Sequence, residues 1–215
     1  MLGALAAAAS VSGYVLAQEH VAASAEAQLR DQAAAFDAGT VNLPPTHAPQ
    51  NAVPRVRFAD ALMSARVAQR LAIGDARRAP LLDRAAAELT TLQSARPYWG
   101  ERAATLAFVE MLRSGDASPT ALRALSESYR EAPYLRQSGS WRVEYGLRQW
   151  EQLDAETQAH LLDEAVWLSR DDVKILNGML DAMRGTQAYR GFMTRWVISR
   201  RDDADFGPID GLPPQ

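Results

Sequence analysis

Two glutamates lie near an aromatic pair, and together they could act on a glycan. Glu101 and Glu110 follow Tyr98 and Trp99 closely along the chain. Glycoside hydrolysis uses two carboxyl groups that flank the bond to be broken, one of them as a proton donor. A solvated helix face explains the same glutamates more simply, because acidic side chains are usual on exposed helix surfaces. We therefore expect no enzyme and no catalytic residue, and keep a glycan-binding or glycan-cleaving protein as an alternative.

Metal, nucleophile and phosphate chemistry lack the residues that they need. His20, His47 and His160 are far apart in the sequence. His160 and Glu164 are one helical turn apart, but two ligands do not make a zinc site, and an ion pair on an exposed helix surface is the ordinary interpretation. The chain has no cysteine, no G-x-S-x-G motif and no glycine-rich phosphate loop. We expect no metal and no cofactor.

Aromatic and arginine side chains offer a better hypothesis, which is binding of a protein partner. Trp, Tyr and Arg anchor protein interfaces, and stacked helical hairpins present a concave groove. The predicted partner-binding residues are Tyr98, Trp99, Arg102, Tyr134, Arg136, Trp141, Arg142, Tyr145 and Arg148. We also expect about two-thirds of the rings in this region to fill the core between helices. Charge reversal at Arg142 and Arg148 is expected to weaken partner binding and to leave the helical content intact.

Nearly all of the chain between residues 55 and 200 has helical periodicity. Leu82, Ala85, Leu89 and Leu92 recur at steps of three and four residues, as the apolar face of an amphipathic helix does. No stretch alternates with a period of two for long enough to form a strand. The sequence therefore predicts an all-α fold of eight or nine helices.

Local signals mark where several of these helices begin and end. Gly115 is expected to end one helix, and Ser118 is expected to cap the next, with Pro119 at its first position. Asp154 and Asp171 look like further caps. Short turns between helices are expected from these positions.

The first 17 residues carry no charged side chain. This length is the lower limit for a membrane-spanning helix, and Val15-Leu16-Ala17 suits a signal peptidase. The first basic side chain is Arg30, so the usual positive start of a signal peptide is missing. Export and membrane anchoring are favoured, and an Ala-rich cytoplasmic helix remains the alternative.

Composition divides the chain into four parts. Residues 1–36 are predicted as a signal or anchor helix, 37–54 as a Pro-rich linker, 55–200 as a helical repeat domain and 201–215 as a flexible tail. Residues 55–200 carry 21 basic and 18 acidic side chains. This balance excludes the strongly basic surface that binds nucleic acid.

A pattern of residues repeats at an offset of 36. The residues that keep their places are Ala85 and Ala121, Leu89 and Leu125, and Pro97-Tyr98 and Pro133-Tyr134. Residues from about 80 to 153 thus resemble tetratricopeptide repeats, which are helical hairpins with a period of about 34. The Trp, Leu and Gly spacing of that family's first helix is absent. The resemblance implies stacked antiparallel hairpins in a superhelix, with the Pro-Tyr turns as structural joints.

A second resemblance concerns the stretch from Ala124 to Arg170. It is similar to bacterial proteins of envelope polysaccharide production that combine an N-terminal membrane segment with a tetratricopeptide-like region. The residues that carry this similarity are Ala124, Leu125, Ser128, Pro133, Arg142, Gly146, Leu147, Arg148 and Trp150. It implies a scaffold in the inner membrane or periplasm, with membrane polysaccharide-assembly proteins as partners. A cytoplasmic adaptor without a glycan role is the remaining alternative.

Overall fold

A computed structural model describes residues 52–170 and 172–204, with the backbone alone for 201–204. It also describes six isolated positions nearer the N-terminus, Ala23, Ser24, Ala27, Asp31, Ala35 and Ala48. The apolar segment 1–17, nearly all of the predicted N-terminal helix and linker, and the tail after Ala204 lie outside the described residues. None of the helices described combines the length and the apolar character that crossing a bilayer requires.

Between residues 52 and 204, the described residues form eight α-helices and one short 3-10 turn, with no strand among them. The helices are α1 (Pro54–Arg70), α2 (Arg78–Ala95), α3 (Gly100–Ser114), α4 (Pro119–Glu131), α5 (Gly139–Arg148), α6 (Ala155–Ser169), α7 (Val173–Met183) and α8 (Gln187–Ala204). The 3-10 turn is Trp150–Gln152. The prediction of an all-α fold is confirmed for this part of the chain.

The boundary between α3 and α4 follows the local signals in the sequence. Gly115 adopts a φ of 92°, which glycine reaches without steric strain, and α3 ends beside it. The Ser118 hydroxyl accepts a hydrogen bond from the Ala121 amide at 3.4 Å, so Ser118 caps α4 as predicted.

Aspartates cap two later helices. The Asp154 carboxylate accepts a bond from the Thr157 amide at 2.8 Å at the start of α6, which confirms that cap. The cap of α7 is Asp172, which accepts a bond from the Lys174 amide at 2.7 Å. Asp171, which the sequence suggested for this role, lies outside the described residues.

The chain divides into two compact units. The first comprises the described residues up to Tyr98 together with Thr105–Ala121. Its core is rich in alanine, which lets helices approach closely, and consists of Ala61, Ala65, Ala68, Leu82, Ala85, Ala86, Leu89 and Val109. Arg78 donates to the carbonyls of Ala68 at 3.2 Å and Leu112 at 2.9 Å, which joins α2 to the C-terminal ends of α1 and α3.

The second unit comprises Trp99–Ala104 and the described residues from Leu122 onward. Its large buried side chains include Leu125, Tyr129, Val143, Tyr145, Leu161, Met183 and Phe192. Gly146 of α5 lies against Leu161 of α6 so closely that a β-carbon at this position would collide with the leucine. The second unit contains most of the predicted partner-binding residues.

Candidate functional site

The predicted partner-binding residues differ widely in exposure. The exposed residues are Tyr98, Tyr134, Arg136 and Arg148, with Tyr98 at 90% and Tyr134 at 51% of their full surface. Trp99 and Trp141 are half-buried. Three others, Arg102, Arg142 and Tyr145, have no exposed surface. These three present nothing for a partner to contact. Only Tyr145 among the predicted rings is fully buried, fewer than expected.

Arg142 is a buried cation with bonds from every nitrogen of its guanidinium. Nε donates to Glu164 at 3.1 Å, and Nη2 donates to the other oxygen of the same carboxylate. Nη1 donates to the carbonyls of Ser128 at 3.1 Å and Ala132 at 2.9 Å, while Nη2 also donates to the Pro133 carbonyl at 3.2 Å. Such bidentate pairing offsets part of the cost of burying two charges. Arg142 therefore joins the C-terminal end of α4 to α5 and α6.

Glu164 extends this buried network to the turn after α4. Its carboxylate accepts a hydrogen bond from the Leu135 amide at 2.8 Å. Burial raises the pKa of Glu164, and the hydrogen bonds from Arg142 act in the opposite direction. The Tyr129 ring lies 4.2 Å from the Arg142 guanidinium carbon, and burial raises the pKa of Tyr129 well above its usual value. This buried network thus connects the C-terminal end of α4 and the turn after it to α5 and α6, and we call it a structural joint.

The burial of Arg142 corrects the outcome expected of its charge reversal. A carboxylate in its place would face Glu164 and backbone carbonyls without solvent, which is a strongly unfavourable arrangement. Reversal at Arg142 is therefore expected to disrupt the second unit itself. Intact helical content remains the expectation for Arg148, which is exposed.

A related joint lies at the start of α3. Arg102 is fully buried, and its Nη2 donates to Glu127 at 2.7 Å and to Glu131 at 3.4 Å. Glu131 also accepts a bond from the Trp99 amide at 3.2 Å, the same kind of contact that Glu164 makes. Burial raises the pKa of Glu131, and the charge of Arg102 acts against it. The two joints share one arrangement. A buried arginine that follows a Pro-Tyr pair donates to a glutamate, and the same glutamate accepts a hydrogen bond from the backbone amide two residues after the proline.

Trp141 and Arg148 cover the buried ring of Tyr145. The Trp141 and Tyr145 rings are stacked, with centroids 5.2 Å apart and planes 13° from parallel. The guanidinium carbon of Arg148 lies 5.7 Å from the Tyr145 centroid. Both residues thus have a packing role on α5.

Tyr134 and Arg136 contact Trp167 of α6 and form an exposed group with it. The ring centroids of Tyr134 and Trp167 are 5.5 Å apart at an angle of 50°, and the Arg136 guanidinium carbon is 6.0 Å from the Trp167 ring centroid. Tilted aromatic pairs and cations above indole rings are both favourable. We call Tyr134, Arg136 and Trp167 the Trp167 surface.

Two clefts open beside Trp167, which lines both of them. The first cleft has a volume of about 290 Å³, and its apolar wall is formed by Tyr134, Val166, Trp167 and Ile198. The second cleft, of about 320 Å³, is lined by Arg136, Trp167, Leu168 and Ile175 among others. Clefts with apolar walls and a few polar groups are typical binding sites.

Basic side chains outnumber acidic ones around these clefts. The charged residues that line them are Arg136, Arg170, Arg195, Asp163 and Asp172. Asp163 accepts a bond from Arg195 Nε at 2.7 Å, and Asp172 is engaged in capping α7. Asp163 and Arg195 neutralise each other, so three arginines against two aspartates give the lining of the two clefts together only a small positive charge.

Trp167 is the functional candidate that the sequence analysis missed. The apolar stripe of α6 runs through Leu161, Ala165 and Leu168, and at about 100° per residue Trp167 lies roughly 120° from its centre. The signal that could have found it is a large aromatic residue on the otherwise polar face of an amphipathic helix.

The residues considered for catalysis and metal binding have other contacts. Glu110 is only 6% exposed and pairs with Arg113 at 3.2 Å. His160 Nε2 lies 3.9 Å from Glu156. The surface pair expected between His160 and Glu164 is therefore wrong, because Glu164 is buried. Across the residues that the structure describes, no group of three His, Cys, Asp or Glu side chains could hold a metal ion.

No protein-family model, no curated protein and no solved structure matches this chain. The likenesses to tetratricopeptide repeats and to envelope-polysaccharide proteins therefore stay predictions. A functional conclusion rests on the chain's own residues.

Proposed function

We propose that this chain is a non-enzymatic α-helical scaffold that binds a protein partner through the Trp167 surface. The observation that carries the proposal is the contact of exposed Tyr134 and Arg136 with the half-buried ring of Trp167. Trp, Tyr and Arg supply most of the strongly contributing residues of protein interfaces. Here all three types meet at one place beside two clefts.

The buried joint supports this proposal because it fixes the turn that carries Tyr134. The Pro133 carbonyl accepts a bond from Arg142, and the Leu135 amide donates one to Glu164. Tyr134 thus lies between two residues whose backbones are bonded to the same buried ion pair. A surface that is already ordered loses less conformational entropy when a partner binds.

Exposed aliphatic side chains extend the same region of the second unit. Ile198 lines the first cleft and is 54% exposed, and Val173, which follows Asp172 of the second cleft, is 71% exposed. Apolar area in the middle of an interface with a polar rim is the usual composition of a protein-binding surface. These residues support a protein partner over a small polar ligand.

We further propose that the helices form stacked antiparallel hairpins of the tetratricopeptide type. The two joints support this, since in each of them the amide two residues after the proline donates to a glutamate that also binds a buried arginine. These residues are Trp99, Glu131 and Arg102 in one joint and Leu135, Glu164 and Arg142 in the other. A partner groove is the usual functional feature of such arrays.

The proposed location is the bacterial cell envelope, where the scaffold would serve polysaccharide biosynthesis or export. The uncharged residues 1–17 and the similarity over Ala124–Arg170 support this. Intact mass of the protein recovered from fractions of its native host tests it. A chain cleaved after Ala17 or a membrane-bound chain is expected, and a full-length cytosolic chain would replace the envelope role with that of a cytoplasmic adaptor.

Site-specific cross-linking in the native host tests the binding surface. A photoreactive phenylalanine analogue in place of Tyr134 is expected to give one discrete adduct, identified by mass spectrometry. The same analogue at Ile73, which is 89% exposed in the first unit, is the matched control and should not give that adduct. Identical adducts from both positions, or an adduct at Tyr134 that persists with Trp167→Ala, would argue against the proposal.

A further inference from the structure

The last helix, α8, has a second stripe of large side chains beside the face that it packs inside the second unit. Its packed face contains the buried residues Ala188, Phe192 and Ser199. At about 100° per residue, the second stripe is centred roughly 90° from this face. Two of its side chains are exposed and two are half-buried, and the four are Tyr189, Met193, Trp196 and Arg200. Such a stripe is a surface that another helix can cover.

Contacts within α8 order this second stripe. The Trp196 ring is stacked on the buried Phe192 ring, with centroids 6.1 Å apart and planes 11° from parallel. The guanidinium carbon of Arg200 lies 5.2 Å from the Trp196 ring centroid. An ordered surface loses less conformational entropy when it is covered.

The stripe is complementary to itself about a two-fold axis. Its midpoint falls between residues 194 and 195, with Tyr189 and Arg200 equally far from it on either side. Met193 and Trp196 are placed in the same way. In an antiparallel pair of α8 helices, Tyr189 of each copy therefore faces Arg200 of the other, and Met193 faces Trp196. A cation over an aromatic ring and a thioether beside one are both favourable, and two-fold symmetry makes each contact twice.

Charge and size indicate how strong such a contact is. The two Arg200 side chains lie at opposite ends of the pair, about 16–17 Å apart along the axis, which is beyond the Debye length of about 8 Å at physiological salt. Their repulsion is therefore largely screened. The stripe is about 16–17 Å long and a helix is about 10 Å wide, so the contact is smaller than the roughly 800 Å² per partner of a stable complex. A weak dimer that depends on concentration is expected.

We propose that α8 is a self-association helix, whose second stripe docks in antiparallel orientation on the same stripe of a second copy of this chain. This goes beyond the proposed function and does not depend on it. Ile198 of α8, which lines the first cleft, lies roughly 170° from the centre of the stripe. The dimer thus leaves the Trp167 surface of each copy open, and a partner with two matching segments gains affinity by binding both.

Sedimentation velocity of the full chain, from micromolar to submillimolar concentration, tests the proposal. The wild-type sedimentation coefficient is expected to rise toward that of a dimer. Tyr189→Arg places a second cation against Arg200 of the other copy and is expected to weaken association at least tenfold. Thr194→Arg is the matched control, since it adds the same charge at an exposed position on the polar side of α8 and should keep wild-type association. Circular dichroism checks that both variants keep their helical content.

A charge exchange tests the antiparallel register. Tyr189→Arg/Arg200→Glu is expected to associate at least threefold more tightly than Tyr189→Arg, because the new cation faces the new carboxylate of the other copy. The two positions are about 16–17 Å apart along one helix, so these charges cannot pair within one chain. Recovery of association in the double variant therefore supports contact between two copies in this register.

Three results would overturn the proposal. A wild-type chain that stays monomeric at the highest concentration does not self-associate. Association that Tyr189→Arg weakens no more than Thr194→Arg does would not involve the stripe. A double variant no tighter than Tyr189→Arg, or an assembly that grows beyond a dimer, would show that the copies do not meet as an antiparallel two-fold pair.

Discussion

Arg142 and Glu164 form a salt bridge in which neither side chain has any exposed surface. The two residues are 22 positions apart, and they join α5 to α6. Their bonds to Pro133 and Leu135 also hold the turn on which Tyr134 lies. The pair therefore connects the stability of the second unit to the geometry of the Trp167 surface.

Removing the cation from this pair is expected to destabilise the chain strongly. Arg142→Met leaves the Glu164 carboxylate buried without its partner, and the expected loss is about 3–5 kcal/mol of unfolding free energy. Arg142→Lys should lose less, since an ammonium group can still bind Glu164 but cannot reproduce the planar set of five donors. Urea denaturation followed by circular dichroism measures both losses.

Arg148→Met is the matched control, because Arg148 lies on the same helix with an exposed side chain. Its expected effect is at most about 1 kcal/mol, because it loses an exposed contact with the Tyr145 ring and leaves no buried charge without a partner. If Arg142→Met and Arg148→Met were equally stable, the buried pair would not be the joint described above.

The cap of α6 should make a measurable contribution. Asp154→Ala removes the acceptor of the Thr157 amide, and a loss of about 1 kcal/mol is expected at neutral pH. Asp181→Ala is the control, since Asp181 pairs only with Arg184 on the surface of α7 and should change stability by less than about 0.5 kcal/mol. Equal losses in the two variants, measured by urea denaturation, would contradict the capping role.

The contribution of Asp154 should also depend on pH. The hydrogen bond from the Thr157 amide holds the pKa of Asp154 below its usual value in the folded chain. A carboxyl group with a lowered pKa stabilises the fold above the unfolded value, about 3.9, and this contribution is lost as pH falls through the folded value. The difference between the wild-type chain and Asp154→Asn is therefore expected to shrink below about pH 4. A difference that grows on acidification would contradict this.

Two glycines offer opposite expectations for the same substitution. Gly146→Ala places a β-carbon against Leu161, which is fully buried, so overpacking should cost about 1–3 kcal/mol. Gly178, on the exposed side of α7, has no heavy atom within 4 Å of an added β-carbon. Gly178→Ala should stabilise by up to about 1 kcal/mol, because alanine favours the helix. Thermal unfolding of both variants measures the contrast. A stabilising Gly146→Ala would show that the α5 and α6 contact is looser than described, and a destabilising Gly178→Ala would contradict the expectation from helix propensity.

The helices and several of their ends were predictable because their signals are local. Leu82, Ala85, Leu89 and Leu92 are all buried, as their spacing along one helix predicts. The caps at Ser118 and Asp154 depend on side chains within three residues of the amides that they bind. Such features require no knowledge of which helices are neighbours in space.

The candidate site was less predictable because it depends on contacts between distant residues. Arg142 looked like a surface residue, and only the position of Glu164 on another helix makes its burial possible. Tyr134 and Arg136 were expected to bind a partner, but the residue that they share, Trp167, is 33 and 31 positions away and shows no motif. Sequence periodicity predicts which face of a helix is apolar. It does not predict which helices pack against each other through those faces.

The most direct test of the account is the affinity of the partner identified by cross-linking for Trp167→Ala, measured by isothermal titration calorimetry. Trp150→Ala is the matched control, since Trp150 is also half-buried but lies in the 3-10 turn. We expect Trp167→Ala to weaken binding at least tenfold while lowering the melting temperature no more than Trp150→Ala does, and Trp150→Ala to stay within about threefold of the wild-type affinity. Wild-type affinity in Trp167→Ala would contradict the central claim that this surface binds the partner.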